Sequence, residues 1–287
     1  MAANLAAMTG LPNQGRPLLF DFSASLRARR RAARLGGDRF LHRNALEGLA
    51  DRLQAVTRRF EKGLWIGESL PGEITRFAQS WQTADFDPEE VLAADGPFDL
   101  AISLFSLQEI NDLPGALVQI RRLLNPDGLF LAALLGGGSL AELRDAFAQA
   151  EIATRGGISP RVAPFADVRD LGGLLQRAGF ALPVSDVERL TARYADFSAL
   201  VRDLRAHGFT NTLAARSKRP LRRDTLQALL AHYAQHHSEA GKLLARFETL
   251  YLTGWAPHQS QQQPLKPGSA KTRLAEALGT AEQPLKR

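Results

Sequence analysis

The stretch GLWIGESLPGEI, residues 63–74, has the residue types of a turn that faces a ligand. The apolar segment LWI predicts a strand that runs into Gly67, and residues 72–79 predict a short helix. Glycine lets a ligand come close to the backbone, and the first N–H groups of a helix are free donors. Glu68 adds a negative charge to this turn, which costs free energy if the carboxylate loses water. The stretch is therefore either a modified binding turn or an ordinary one.

Two acidic residues follow other predicted strands. Asp85 comes after a strand predicted over residues 81–84 and suits a ligand contact or a plain turn equally. Gln108 and Glu109 lie in SLQEIND, directly after the apolar run FDLAISLFSL. Loops at the carboxyl ends of such strands carry groups that face a substrate. Glu109 could act there as a carboxylate base in a dry pocket, or it could be an exposed loop acid.

Basic residues and histidines provide weaker candidates. Arg155 and Arg161 flank a glycine pair and could clamp an acidic substrate or be ordinary loop residues. His232 and His236 are spaced i, i+4 on a predicted helix, which is a metal-binding spacing. Few carboxylates are near them in sequence and the helix looks solvent-facing, so we expect no metal site. The absence of cysteine excludes disulfides, thiolate catalysis and cysteine-based zinc sites.

The positive charge is concentrated near the amino terminus. The 287-residue chain has a net charge of +6, and RARRRAAR, residues 27–34, places five arginines in eight positions. This segment could bind an anionic partner such as RNA, a membrane surface or an acidic protein, or it could be a solvated helix face. Aromatic residues do not interleave with the arginines, so there is no strong nucleic-acid signal. The longest apolar stretch, residues 128–138, is too short to span a bilayer and no signal peptide is visible. We expect a soluble protein of the bacterial cytoplasm or an equivalent compartment such as the mitochondrial matrix.

Strands and helices alternate through the first half of the chain. The apolar runs 98–107 and 129–135 predict buried parallel strands, and a helix is predicted from residue 113 to 124. A short helix is predicted from Asp87, and helices and strands mix in the second half. The fold class is therefore α/β, a Rossmann-like sheet covered by helices on both faces. The predicted domains are an N-terminal helical extension, a central α/β domain with C-terminal helical insertions, and an irregular tail, over residues 1–60, 61–256 and 257–287.

The central sequence resembles the class I S-adenosylmethionine (SAM)-dependent methyltransferases. The resemblance is carried by FDLAISLFSLQEINDLPGALVQIRRLLNPDGLFLAALLGGGSLAEL, in the order of strand, loop, helix, P-D-G turn and strand. It implies SAM as the cofactor. The positions that it assigns to the cofactor are Gly67, Ser69, Gly72, Asp85, Leu104 and Ser106.

The chain departs from the family's cofactor loop, which is roughly acidic-x-Gly-x-Gly-x-Gly. Trp65 stands at the acidic position, Ser69 at the second glycine, and Pro71 or a displaced Gly72 at the third. Only 30 residues separate Gly67 from Phe98, which is about one strand–helix unit too few. The missing unit would include the second strand and its ribose-binding acid, for which Asp85 could substitute. These departures predict weakened SAM binding.

A narrower similarity covers almost the whole chain. LLFDFSASLRARRRAARL, GGISPRVAPFADVRDLGGLLQRAGF and GWAPHQSQQQPLKPGSA are similar to the methyltransferase-like assembly factors of respiratory complex I, to which arginine hydroxylation of a subunit is attributed. The resemblance implies modification or holding of a complex I subunit or another assembly protein. Two alternatives stay open. The first is a non-catalytic scaffold with a decayed SAM site. The second is an active O-methyltransferase of small molecules or carrier proteins, because GSLAEL resembles the malonyl carrier-protein O-methyltransferases. The residues that could contact a substrate or partner are Gln108, Arg155, Arg161, Trp255, His258 and Gln259.

Overall fold

The computed structural model describes residues 18–87 and 89–262, together with residues 276, 279 and 280. Within them the chain forms eight helices and seven strands. The helices are α1 (Phe22–Leu35), α2 (Phe40–Gln54), α3 (Gly72–Thr75), α4 (Leu113–Leu123), α5 (Ala141–Arg155), α6 (Val168–Arg177), α7 (Phe197–His207) and α8 (Arg223–His236). The strands are β1 (Phe60–Ile66), β2 (Ala78–Ala84), β3 (Phe98–Leu104), β4 (Leu124–Leu135), β5 (Ala181–Tyr194), β6 (Ser238–Glu239) and β7 (Lys242–Trp255).

The strands form one sheet in the order β2-β1-β3-β4-β7-β5, and the two-residue β6 pairs with β7. β1 is parallel to β2 and β3, and β3 is parallel to β4. β7 runs antiparallel to both β4 and β5. The prediction of a Rossmann-like α/β sheet is therefore confirmed.

The sheet is buried on both faces. α2, α5, α7 and α8 pack on one face, and α4 and α6 pack on the other. Neighbouring residues of a strand point to opposite faces, so Leu64 and Ile66 join the α4 side and Trp65 joins the α2 side. Burial on both sides explains why β3 and β4 read as continuous apolar runs.

The segment between β1 and β3 is short, as the sequence predicted. It contains β2 and the one-turn α3, and its described residues from 85 to 97 form no helix. β2 pairs directly with β1, with Ala84 beside Ile66. β2 therefore occupies the position beside β1. The missing strand would instead lie beyond β2, which differs from the predicted loss of the strand next to β1.

The predicted helix at Asp87 is wrong. Asp87 instead closes a turn, because its Oδ1 accepts the N–H of Glu89 at 2.9 Å and Glu90 adopts a left-handed φ of 62°. The Glu90 carboxylate then accepts the N–H groups of Asn111 and Asp112, at 2.6 and 2.7 Å. Interaction with the loop after β3 therefore outweighs the local preference for a helix.

The same loop fixes the start of α1. Asn111 Oδ1 accepts the N–H groups of Leu19 and Phe20, at 2.9 and 2.8 Å. Arg216 forms an ion pair with Asp21, the N-cap of α1, at 2.8 Å. These contacts hold α1 across the carboxyl ends of the parallel strands, where the candidate site lies.

None of the described helices has the length and apolarity to cross a membrane. α1 and α2 lie in the predicted N-terminal extension, although the domain boundaries themselves stay predictions. Most of the predicted irregular tail lies outside the described residues.

Candidate functional site

A cleft of about 580 Å³ opens at the carboxyl ends of β1, β2 and β3. α1, α2 and the loop that follows α7 form its other walls. Gly72 does not line the cleft, although its neighbours Pro71 and Glu73 do. The predicted residues that the fold brings together there are Gly67, Ser69, Asp85, Leu104, Ser106, Gln108 and Glu109.

Gly67 makes a close approach that other residues could not make. Its φ is +152°, a backbone region that favours glycine. A Cβ at this position would lie 3.0 Å from Ser106 Oγ and 3.2 Å from Trp65 Nε1. The turn after β1 therefore favours glycine at position 67 for its backbone conformation and its close contacts, and its role toward a cofactor stays a prediction.

Trp65 brings an unused donor to the same turn. Its side chain is 3% exposed, and its Nε1 has no hydrogen-bond partner among the described residues. A buried donor without a partner is unfavourable unless a ligand or water satisfies it. In the sequence Trp65 is only a departure from an acidic position; the structure adds a buried donor close to Gly67.

Asp85 follows the strand that pairs with β1, so it stands where the resemblance places a ribose-binding acid. Its carboxylate forms an ion pair with Arg29 of α1, and the two side chains are 31% and 26% exposed. Arg29 is thus the member of the basic segment that faces the cleft. The other arginines of that segment are exposed and form no ion pair with the described part of the chain: Arg27, Arg30, Arg31 and Arg34.

Glu109 lies between the cleft and an adjoining pocket of about 230 Å³. Burial raises the pKa of the Glu109 carboxyl, and the Ser25 and Thr212 hydroxyls and the Arg29 charge only partly oppose this. Thr212 Oγ1 donates to Glu109 Oε1 at 2.9 Å. The Glu109 side chain is therefore partly buried between the two cavities and is not a fully exposed loop acid.

Gln108 has a structural contact beside Glu109. Its Oε1 accepts the N–H of Leu135 at 3.0 Å, which ties the loop after β3 to the end of β4. Its side chain lines both the cleft and the adjoining pocket.

An aromatic wall, which the sequence did not reveal, completes the cleft. His42 stacks on Phe209 and meets Phe105 edge-on, with ring centroids 5.5 and 5.1 Å apart. Burial and then the charges of Arg39 and His207 lower the pKa of His42 to about 3, so it is neutral near pH 7. Its Nε2 lies 2.8 Å from Arg39 Nη2, and its buried Nδ1 has no partner among the described residues. His42 follows Leu41 on the apolar face of α2, but nothing in the sequence indicates that this side chain reaches a cleft.

Arg155 and Arg161 both contact a buried acid of this chain, and their role toward an acidic substrate stays a prediction. Glu151 is 0% exposed and lies 3.2 Å from Arg155 Nη1 and 2.7 Å from Arg161 Nη2. Burial opposes its ionisation, but the Ser159 hydroxyl and N–H and the Arg161 guanidinium outweigh burial and lower the pKa of the Glu151 carboxyl. Arg161 also lines the adjoining pocket, whereas Arg155 lines neither cavity.

The residues that end the last strand lie at the opposite end of the sheet from the cleft. Trp255 pairs with Leu129 near the amino end of β4, whereas the cleft is at the carboxyl ends of the parallel strands. His258 Nδ1 lies 2.7 Å from Ser260 Oγ, and Gln259 is exposed. Trp255, His258 and Gln259 therefore do not belong to the cleft, and their role toward a partner stays a prediction.

The histidines of α8 are arranged differently from the predicted i, i+4 pair. His232 Nε2 and His237 Nε2 lie 2.8 and 2.7 Å from Asp145 Oδ2 of α5. His236 is exposed and its ring packs at a tilt against that of His232, with ring centroids 4.4 Å apart. His237 is the C-cap of α8, with φ −130° and ψ 36°, so it leaves the helical path and can face the same carboxylate as His232.

Comparison with known proteins identifies a family and several relatives. A family described as a methyltransferase domain matches residues 16–183. The protein named arginine-hydroxylase NDUFAF5, mitochondrial, from Danio rerio is 36% identical over 253 residues, which cover 79% of this chain and 78% of that protein. Its namesake from Dictyostelium discoideum is 41% identical over 189 residues, 65% of this chain but only 43% of that protein. A malonyl-[acyl-carrier protein] O-methyltransferase from Laribacter hongkongensis is 36% identical over 203 residues, 70% of this chain and 66% of that enzyme.

Proposed function

This chain belongs to the methyltransferase domain family, and on that premise we propose that it binds SAM and acts on a protein partner during the assembly of respiratory complex I. Its action would be to modify a side chain of a subunit or to hold the subunit. The relatives named arginine-hydroxylases favour a protein side chain as the substrate.

The observation that carries this proposal is the position of Glu109. It stands at the junction of the cleft and the adjoining pocket, in the loop that follows β3. A carboxyl group whose pKa is raised by burial binds a proton more readily than an ordinary glutamate does. The adjoining pocket would admit the partner's side chain, and Glu109 would hold a basic group or take a proton at its inner end.

The residues of the cleft fit SAM in part. The volume of about 580 Å³ is within the range of small-molecule sites. Gly67 would lie against the methionine end, and Asp85 would accept from the ribose hydroxyls. When bound, SAM supplies an electrophilic methyl group on a sulfonium. Arg29 already donates to Asp85 Oδ2, so the ribose hydroxyls would compete with Arg29 for that oxygen.

The engagement of Asp85 by Arg29 favours a second candidate function, a non-catalytic scaffold. With this acid occupied and Trp65 at the usual acidic position, the cleft would not hold SAM firmly. The protein would then bind its client through exposed surfaces, among them the arginines of α1.

Calorimetric titration with SAM and S-adenosylhomocysteine separates the two functions. Binding of either ligand supports the proposal, and no heat at millimolar ligand refutes it in favour of the scaffold. If SAM binds, mass spectrometry of co-expressed complex I subunits should show the gain of a methylene or an oxygen. Methyl transfer to a malonyl carrier protein instead would favour the carrier-protein O-methyltransferase.

A further inference from the structure

We propose that Asp145, His232 and His237 form a binding site for a divalent transition-metal ion, with Zn²⁺ as the best-fitting one. The site lies between α5 and the end of α8, and none of its residues lines the cleft or the adjoining pocket. It is independent of the proposed function.

The donor set is the first argument. The two Nε2 atoms and Asp145 Oδ2 all lie within 4.8 Å of one another. Two imidazole nitrogens and one carboxylate oxygen are ligands that zinc accepts, with a water molecule at the fourth position. Ligand distances of about 2.0–2.2 Å in a tetrahedral site place ligand atoms roughly 3.3 Å apart. The observed 2.8 and 2.7 Å separations require the carboxylate to withdraw by only about half an ångström.

The surroundings of the donors are the second argument. All three side chains are partly exposed, at 22% for His232, 21% for His237 and 43% for Asp145, so an ion can enter and water can complete its coordination. The histidines lie at the carboxyl end of α8, where the helix dipole favours a cation. Neither Nδ1 atom has a hydrogen bond to the described part of the chain, so each ring can shift its proton to Nδ1 and free Nε2 for a metal.

Metal binding would connect two elements that are far apart in sequence. Asp145 belongs to α5, which packs extensively along α8. An ion held by one ligand from α5 and two from the end of α8 would stabilise this helix pair and the β6–β7 hairpin that begins at Ser238.

The test is zinc titration of the untagged, full-length protein after chelator treatment. We expect one Zn²⁺ per chain, and a loss of affinity of at least about tenfold in His232→Ala and in His237→Ala. His236→Ala is the matched control, because His236 lies on the same helix and is not a ligand. Zn²⁺ should also raise the melting temperature of the wild type and of the control, but not of the two ligand variants.

Asp145→Asn keeps the size of the side chain and a hydrogen bond to histidine, so it tests the site if the alanine variants fold poorly. It should melt as the metal-free wild type does but bind zinc more weakly. Absence of zinc binding to the wild type, or an equal loss in His236→Ala, would overturn the proposal.

Discussion

Replacing Arg29 with glutamine is expected to strengthen SAM binding. Arg29 occupies the carboxylate of Asp85, the acid that stands beside the turn after β1. The variant leaves Asp85 free to accept hydrogen bonds from the ribose. It also removes a positive charge from a cleft that must accommodate the sulfonium of SAM.

The size of the effect follows from the exposure of the ion pair. The side chains of Arg29 and Asp85 are 26% and 31% exposed, so water and salt screen their attraction. A pair of this kind contributes about 1 kcal/mol, which corresponds to roughly a fivefold lower dissociation constant for SAM once the pair no longer competes. Isothermal titration calorimetry of the wild type and the variant measures this directly.

Two further variants make the test specific. Arg30→Gln removes an exposed charge from the same helix and should leave the affinity within experimental error. Asp85→Asn should weaken SAM binding, and it should cancel the gain in the double variant with Arg29→Gln. The reasoning fails if Arg29→Gln binds SAM more weakly than the wild type, or if the gain persists without Asp85.

Three other predictions concern the cleft and its supports. Gly67→Ala should cost about 1–3 kcal/mol of unfolding free energy and reduce ligand binding, because the φ of +152° at this position is unfavourable for a residue with a Cβ. Chemical denaturation measures the cost, and an unchanged unfolding free energy would contradict the prediction. Glu109→Gln should abolish modification of the client yet stabilise the fold at mildly alkaline pH. The raised pKa means that the wild type loses stability as pH rises through that pKa, so the two melting curves should converge in acid. Arg161→Ala should cost about 3–5 kcal/mol of unfolding free energy, because it leaves Glu151 buried and poorly paired. Arg155 is more exposed, so Arg155→Ala should cost at most about 1 kcal/mol. Urea denaturation measures both, and similar midpoints would show that burial is not decisive.

The fold was predictable because its signals are local. The apolar run FDLAISL predicts a buried parallel strand. The small number of residues between Gly67 and Phe98 shows that few strands and helices fit between them. Gly67, Asp85 and Glu109 were also predictable as residues of one cleft, because the carboxyl ends of parallel strands meet at one edge of a sheet.

Long-range packing determines what the sequence did not reveal. Five arginines lie within eight positions, and only the position of α1 over the cleft selects Arg29 as the partner of Asp85. The buried ring nitrogens of Trp65 and His42, which have no partner among the described residues, result from how β1 and α2 pack around the cleft. α8 ends at His236, so His237 leaves the helical path. It can therefore face the same carboxylate as His232, which helical spacing does not predict.

The shortened sheet also has a consequence for how the protein meets other chains. β2 is the last described strand on its side, so one of its edges offers backbone N–H and C=O groups that pair with no described strand. An edge of this kind is a template on which another extended chain can add by backbone hydrogen bonding. Gln79, Ser80 and Thr83 are exposed and polar, so the faces of β2 beside that edge are hydrated.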